Sequence, residues 1–122
     1  MAKPTLPRPT DGELSILRVL WGRGPSTVRQ VHEILSRDRP GAYTTTLKLL
    51  QIMVEKNLVR RDEAQKAHVY RAGIPRKQAQ SQLVSDLVDK LFGGSASGLV
   101  MQALSSKRAS AAERAEIRKL LD

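Results

Sequence analysis

The sequence predicts a mostly α-helical chain carrying one small β-hairpin. Apolar residues recur at helical spacing through most of its 122 residues, and capping residues stand ahead of several of those stripes. Between them, one short stretch switches to β-branched and aromatic residues around a polar turn.

Met1–Pro9 is basic and rich in proline (Pro4, Pro7, Pro9) and is read as a disordered tail. Thr10-Asp11-Gly12-Glu13 then reads as a capping box, with Thr10 as N-cap and Glu13 reaching back to it. Leu14, Leu17, Val19, Leu20 and Trp21 stripe the first helix, which Gly22-Arg23-Gly24-Pro25 ends. Ser26 or Thr27 caps a second helix, in which Val28, Val31, Ile34 and Leu35 recur on one face. Ser36–Ala42, containing Pro40-Gly41, is a loop. A third helix runs from about Thr44 to Lys56, and Asn57 stands where a left-handed C-cap is common.

The period then changes. Leu58-Val59-Arg60-Arg61-Asp62-Glu63 leads through Ala64–Ala67 to His68-Val69-Tyr70-Arg71, a β-hairpin pattern, and Pro75 closes the region. Three helices followed by a hairpin match a winged helix-turn-helix over residues 10–74. An unspecialised small α+β domain is the plainer alternative.

Residues 75–122 change character. Leu83, Val84, Leu87, Val88, Leu91 and Phe92 form one wide apolar helical face, and Gly93-Gly94 stops that helix. Leu99, Val100, Ala103 and Leu104 stripe a second short helix. Ser110-Ala111-Ala112-Glu113 is another capping box, ahead of Ile117, Leu120 and Leu121. Three short helices have too little surface to bury these stripes alone. The segment is therefore read as a homodimerisation element carried by Leu83, Leu87, Leu91, Phe92, Leu99, Val100, Leu104, Ile117 and Leu120. A helical cap packed on its own winged domain is the alternative. On this division, a cut after Gly73 is expected to leave a folded, monomeric winged domain.

Composition narrows the function. Lys and Arg number 21 against 12 Asp and Glu, a net charge of +9 with a pI near 10.5. Such a balance normally goes with a polyanionic partner: nucleic acid, ribosome or an acidic membrane face. The absence of cysteine excludes disulfides, thiolate zinc sites and cysteine nucleophiles. The two histidines, His32 and His68, are too few for a histidine-rich metal site, so neither metal nor cofactor is expected. One Trp, two Tyr and one Phe are too few for an RNA-stacking platform. No apolar run approaches the roughly 20 residues of a membrane span. The N-terminal prolines stand where a signal peptide would be apolar. The chain is read as cytoplasmic, without membrane insertion.

Charge and geometry meet on the third helix. Thr44, Lys48, Gln51 and Glu55 lie at i, i+4, i+7 and i+11 and share one face, with Tyr43 and Thr45 beside it. Thr can contact phosphate or a thymine methyl, Gln can pair with adenine, and Lys favours guanine or phosphate. A solvated face of an ordinary amphipathic helix would look the same. On the hairpin, Arg60, Arg61, Lys66 and Arg71 are placed to hold phosphates, with His68 structural or a phosphate donor. Asp62 and Glu63 are unsuited to a DNA backbone. Trp21 is read as core. Catalysis finds no footing: Glu13, Glu33 and Glu55 are scattered, with no Ser-His-Asp order and no phosphate-cradling glycine loop.

Several of these runs resemble the BlaI/MecI/CopY family of penicillinase-repressor-type bacterial regulators. They are Thr10-Asp11-Gly12-Glu13-Leu14 with Val19-Leu20-Trp21, Tyr43-Thr44-Thr45, Glu55-Lys56-Asn57-Leu58-Val59, His68-Val69-Tyr70-Arg71, and Leu91-Phe92-Gly93-Gly94-Ser95 through Leu99-Val100. The resemblance covers about residues 10–122. It implies a winged-helix domain and a helical dimerisation segment, bound as a homodimer to an inverted-repeat operator in double-stranded DNA to repress neighbouring genes. It also implies a sensor-protease pathway for β-lactam-responsive members, whose cleaved Asn-Phe bond would fall here at Gln102-Ala103. Copper-responsive members carry a cysteine cluster that this chain lacks, and Asn57 stands where the family usually has Gly. The functional expectation is a dimeric, sequence-specific DNA-binding repressor. A basic RNA- or ribosome-binding accessory protein and a protein-binding winged module are the alternatives.

Overall fold

The computed structural model of the chain describes residues 8–106 and 109–121, so the tail read at 1–9 lies, apart from Arg8 and Pro9, outside the described residues. Among the described residues, six helices and three short strands follow in the order α1 (Asp11–Arg23), β1 (Ser26–Thr27), α2 (Val28–Leu35), α3 (Tyr43–Glu55), β2 (Val59–Asp62), β3 (Val69–Ala72), α4 (Arg76–Leu91), α5 (Ala96–Ser105) and α6 (Ala111–Leu121).

Local chemistry sets most of these boundaries. At α1, the Glu13 N–H donates to Thr10 Oγ1 at 3.2 Å and the Thr10 N–H donates to Glu13 Oε1 at 2.8 Å, the reciprocal box read from the sequence. Thr27 and Gln30 make the same pair of bonds at α2, 3.2 and 2.9 Å long. Helix α3 ends in a Schellman motif. Asn57 adopts φ 62°, its N–H reaches the Val54 carbonyl at 3.1 Å, and the Leu58 N–H reaches the Met53 carbonyl at 2.9 Å. Leu58 and Met53, the two residues joined by the longer of these turns, are both fully buried.

The hairpin belongs to a three-stranded antiparallel sheet of order β1-β3-β2. Ser26 pairs with Tyr70 and Thr27 with Val69, so the capping residue of α2 is also an edge-strand residue. Two residues are too short to show alternation, which is why β1 has no signature in the sequence.

The core lies between α1, α2, α3 and the sheet. Ile16, Leu17 and Leu20 meet Val28, Val31, Leu50 and Met53, with Leu58, Val59 and Tyr70 closing one side. Trp21 packs against this cluster, and its indole Nε1–H donates to the Ile74 carbonyl at 2.9 Å. The Arg76 guanidinium lies 6.0 Å from the Trp21 ring centroid. Ile74 and Ala79 are themselves core residues, 4% and 3% exposed. The first compact unit accordingly runs Met1–Ala79, past the boundary read at 74, and the second spans Gln80–Asp122.

In the second unit, Gly93 and Gly94 end α4 with φ 57° and 88°. Ser95 caps α5 by accepting the Gly98 N–H at 3.0 Å. Ser110 and Glu113 form the expected box ahead of α6, with bonds of 3.0 and 3.1 Å. Arg114 donates to the Leu104 carbonyl at 2.8 Å, tying α6 to the end of α5. Among the described residues beyond Ala79, no side chain is buried.

Candidate nucleic-acid interface

Helix α3 presents the polar face its spacing predicts. Thr44, Thr45, Lys48, Gln51 and Glu55 are exposed, while Thr46, Leu50 and Met53 point into the core. The helix is held on α2 by His32, whose Nδ1 lies 3.2 Å from Thr46 Oγ1 and whose Nε2 lies 3.3 Å from Ser36 Oγ. The same imidazole meets the Tyr43 ring edge-on, with centroids 5.6 Å apart. His32 therefore has a structural role on this surface. The N-cap of α3 is Ala42, whose side chain offers no acceptor at the positive end of the helix dipole, although the Thr45 N–H donates to the Ala42 carbonyl at 3.1 Å.

Arg37 and Arg39 are exposed in the loop that leads into this helix start. The sequence reading passed over them. Two arginines in the turn between the second helix and a candidate recognition helix were the signal available.

The hairpin sorts its basic residues by face. Arg60 pairs with Arg71 on one side of the ladder, and Arg61 pairs with Tyr70 on the side that packs inward. Arg61 is engaged within the protein: its Nε lies 2.8 Å from Glu63 Oε1. A hydrogen bond with Tyr70, reinforced by the Glu63 carboxylate, raises its pKa above the ordinary arginine range. Asp62 Oδ1 accepts the Ala64 N–H at 2.9 Å and so shapes the turn. The two acidic residues that suit a DNA backbone poorly are thus spent inside the hairpin. Lys66 and His68 are exposed on the turn side, and Arg60 and Arg71 are exposed on the strands.

Among the described residues, no three His, Asp or Glu side chains gather as a metal site, and no helix is long and apolar enough to cross a membrane.

In the second unit, the residues read as an interface remain accessible. Leu91 is 69% and Leu120 85% exposed, with Val84, Val100 and Met101 also exposed. Leu83, Leu87, Phe92, Leu99, Leu104 and Ile117 are half-buried. The Gln102–Ala103 bond lies inside α5, with both side chains exposed.

The profile of the penicillinase repressor family matches residues 9–122. The chain belongs to that family. The Transcriptional regulator BlaI of Mycobacterium tuberculosis, from two strains, is 48% identical over 71 residues, 57% of this chain and 50% of that protein. The matched stretch thus spans half the length of these curated relatives. Among solved structures, the DNA binding domain of the repressor BlaI aligns with a TM-score of 0.54 and 20% identity, covering 61% of this chain and 90% of that one. Monomeric Bacillus licheniformis BlaI in complex with the blaP half-operator aligns with a TM-score of 0.53 and 20% identity, covering 60% and 89%. Membership of the penicillinase repressor family agrees with the motifs quoted above, and the structural likeness shows that residues of the first unit share the winged-helix fold of those solved structures.

Proposed function

We propose that this member of the penicillinase repressor family is a sequence-specific transcriptional repressor that binds an inverted-repeat operator as a homodimer. The observation that carries the reading is the exposed face of α3, which presents Thr44, Thr45, Lys48 and Gln51, with further exposed basic residues on the hairpin. Hydroxyl, amide and ammonium groups at that spacing suit base edges and flanking phosphates in a major groove. Lys48 and Gln51 are the candidates for base contact. Tyr43, Thr44, Thr45, Arg60, Lys66 and His68 are candidates for backbone contact, and Arg61, paired with Glu63 at 2.8 Å, is the weakest of the basic candidates. The half-operator bound by the Bacillus licheniformis relative is the class of DNA envisaged.

The second unit supplies the dimer. Beyond Ala79 no side chain is buried among the described residues, and large apolar side chains such as Leu91 and Leu120 stay open to a second copy.

A gel-shift on the DNA upstream of the chain's own gene, with non-specific competitor present, tests the reading. A dimer carries 2 × (+9) = +18, of which only residues facing phosphate count. We expect retention on that DNA with a log–log salt slope steeper than about −4. Equal binding to any duplex, or a near-flat slope, overturns it.

A further inference from the structure

Among the described residues, Glu13 is the only buried charged side chain, 1% exposed. Its capping-box duty needs only Thr10. At the other such box on a carboxylate, Glu113 serves Ser110 while fully exposed to solvent. Glu13 has a further partner. Lys56 Nζ lies 3.1 Å from its Oε1 and 2.9 Å from its Oε2, bonds that reach across 43 positions of sequence. Lys56 is the C-cap of α3, and its N–H donates back to the Ile52 and Val54 carbonyls. The pair therefore joins the first turn of α1 to the last turn of the helix that carries Lys48 and Gln51.

The pair is weak grounds for stability, because Glu13 is buried but the Lys56 side chain is 32% exposed and solvent screens the attraction. What it supplies is direction. The contacts of Leu50 and Met53 are apolar and non-directional, whereas the two hydrogen bonds from Lys56 Nζ are charge-assisted and tie the last turn of α3 to one buried carboxylate on α1. The lever is large. With side chains about 5–6 Å from the helix axis, turning α3 by about 20° displaces Gln51 by about 2 Å. A bidentate base contact tolerates roughly 0.5 Å. The other end of α3 is already fixed by His32 on Thr46 at 3.2 Å, so the Lys56–Glu13 contact supplies the matching constraint at the C-terminal end.

We propose that Lys56, anchored on buried Glu13, is a positioning residue for DNA reading: it sets the rotation of α3 so that Lys48 and Gln51 meet base edges in register. The proposal rests on the DNA-binding reading above and adds the residue that gives it sequence discrimination.

The test uses the full chain and two duplexes of equal length, one the operator and one random. Glu13→Gln combined with Lys56→Met removes one charge of each sign, leaves the net charge unaltered, and keeps a side chain able to serve the Thr10 cap. The double variant is expected to melt within a few degrees of the parent and to bind random DNA within about twofold. Its operator affinity should fall at least about fivefold, whereas Lys56→Arg alone, which keeps a cation on Glu13, should retain most of the parent's affinity. An unchanged operator-to-random ratio in the folded double variant overturns the proposal. If the double variant does not fold, Lys56→Gln decides, since its shorter, uncharged side chain removes the ammonium anchor: a lowered operator-to-random ratio supports the proposal, and an unchanged ratio rejects it. A parent chain that does not prefer operator over random DNA refutes the DNA-binding reading instead, and the two failures are told apart by the parent alone.

Discussion

Arg60 stands directly opposite Arg71 in the antiparallel pairing of β2 with β3, and both side chains are exposed. Like charges in directly opposed positions disfavour the sheet by a few tenths of a kcal/mol or more. Among the described residues, no ion pair engages either guanidinium, while the neighbouring Arg61 has Glu63 at 2.8 Å. A phosphate between the two would turn mutual repulsion into shared attraction. Arg71→Thr should therefore raise the thermal midpoint of the free protein slightly and weaken binding to operator and random DNA alike. The salt slope should become shallower by about 0.9 for each phosphate that is no longer neutralised. Arg61→Gln should leave that slope nearly unchanged. The reverse ranking in salt titrations would move the phosphate site to the inner face.

Gly73 is fixed by space rather than by φ. A Cβ built there would lie 2.7 Å from the Asn57 carbonyl oxygen and 3.2 Å from the Leu58 carbonyl carbon and oxygen. These are backbone atoms held by the Schellman turn and by the Gly73 N–H bond to the Leu58 carbonyl at 2.8 Å, so they have little room to yield. Gly73→Ala should cost about 1–3 kcal/mol in urea unfolding, the scale of overpacking. A cost below about 0.5 kcal/mol would mean that β3 can lift away from the end of α3.

The Glu13 pair predicts acid sensitivity. Burial alone would push the Glu13 carboxyl up, but the Thr10 N–H and the Lys56 ammonium outweigh it and hold the carboxyl below its ordinary value of 4.5. A depressed carboxylate binds its proton more readily in the unfolded chain, so it contributes stability above the unfolded value. That contribution shrinks as pH falls below about 4.5 and is gone once pH passes the folded value. Denaturation curves for the parent and Glu13→Gln should lie furthest apart at neutral pH and converge in acid. Parallel curves down to pH 3 would show that the carboxylate carries no such linkage.

Where a signal in the sequence was local, it translated directly into structure. Thr10 with Glu13, Ser110 with Glu113, and Asn57 after a striped helix each involve residues a few positions apart, whose bonds are set by backbone geometry. The exposed face of α3 followed from helical period alone. What stayed hidden was tertiary. Glu13 looked complete once its cap was recognised, because nothing local announces a lysine 43 positions away. Strand β1 was invisible because two residues have no period, and only the register of β3 gives Ser26 and Thr27 a partner. Asp62 and Glu63 looked misplaced beside basic residues until the turn and Arg61 were seen to occupy them.

Lys48→Ala and Gln51→Ala should weaken operator binding without altering the fold, since both side chains are exposed and neither fills the core. A base-edge contact is worth about 1–3 kcal/mol and is larger on operator than on random DNA. Equal losses on both duplexes would reassign the residue to phosphate. No loss on either would place the reading face elsewhere on α3.

Truncation should separate reading from dimerisation, and the place of the cut decides whether anything folds. A chain ending after Gly73 loses Ile74 and Ala79 from the core, along with the carbonyl that satisfies the Trp21 indole at 2.9 Å. It should be poorly folded. A chain ending after Gln82 keeps all three and loses the apolar face of Leu83, Leu87, Leu91 and Phe92, so it should be folded and monomeric. Tethering two reading heads makes the second half-site contact effectively intramolecular, which can raise avidity by roughly 10²–10⁴. The Gln82 fragment should therefore bind a single half-site weakly and the inverted repeat hardly better, whereas the full chain should strongly prefer the repeat. Light scattering reports the oligomer, and gel-shifts on half and full operators report the avidity. A fragment that stays dimeric with undiminished affinity would place the dimer contact within the winged domain and leave the helices beyond it as a cap.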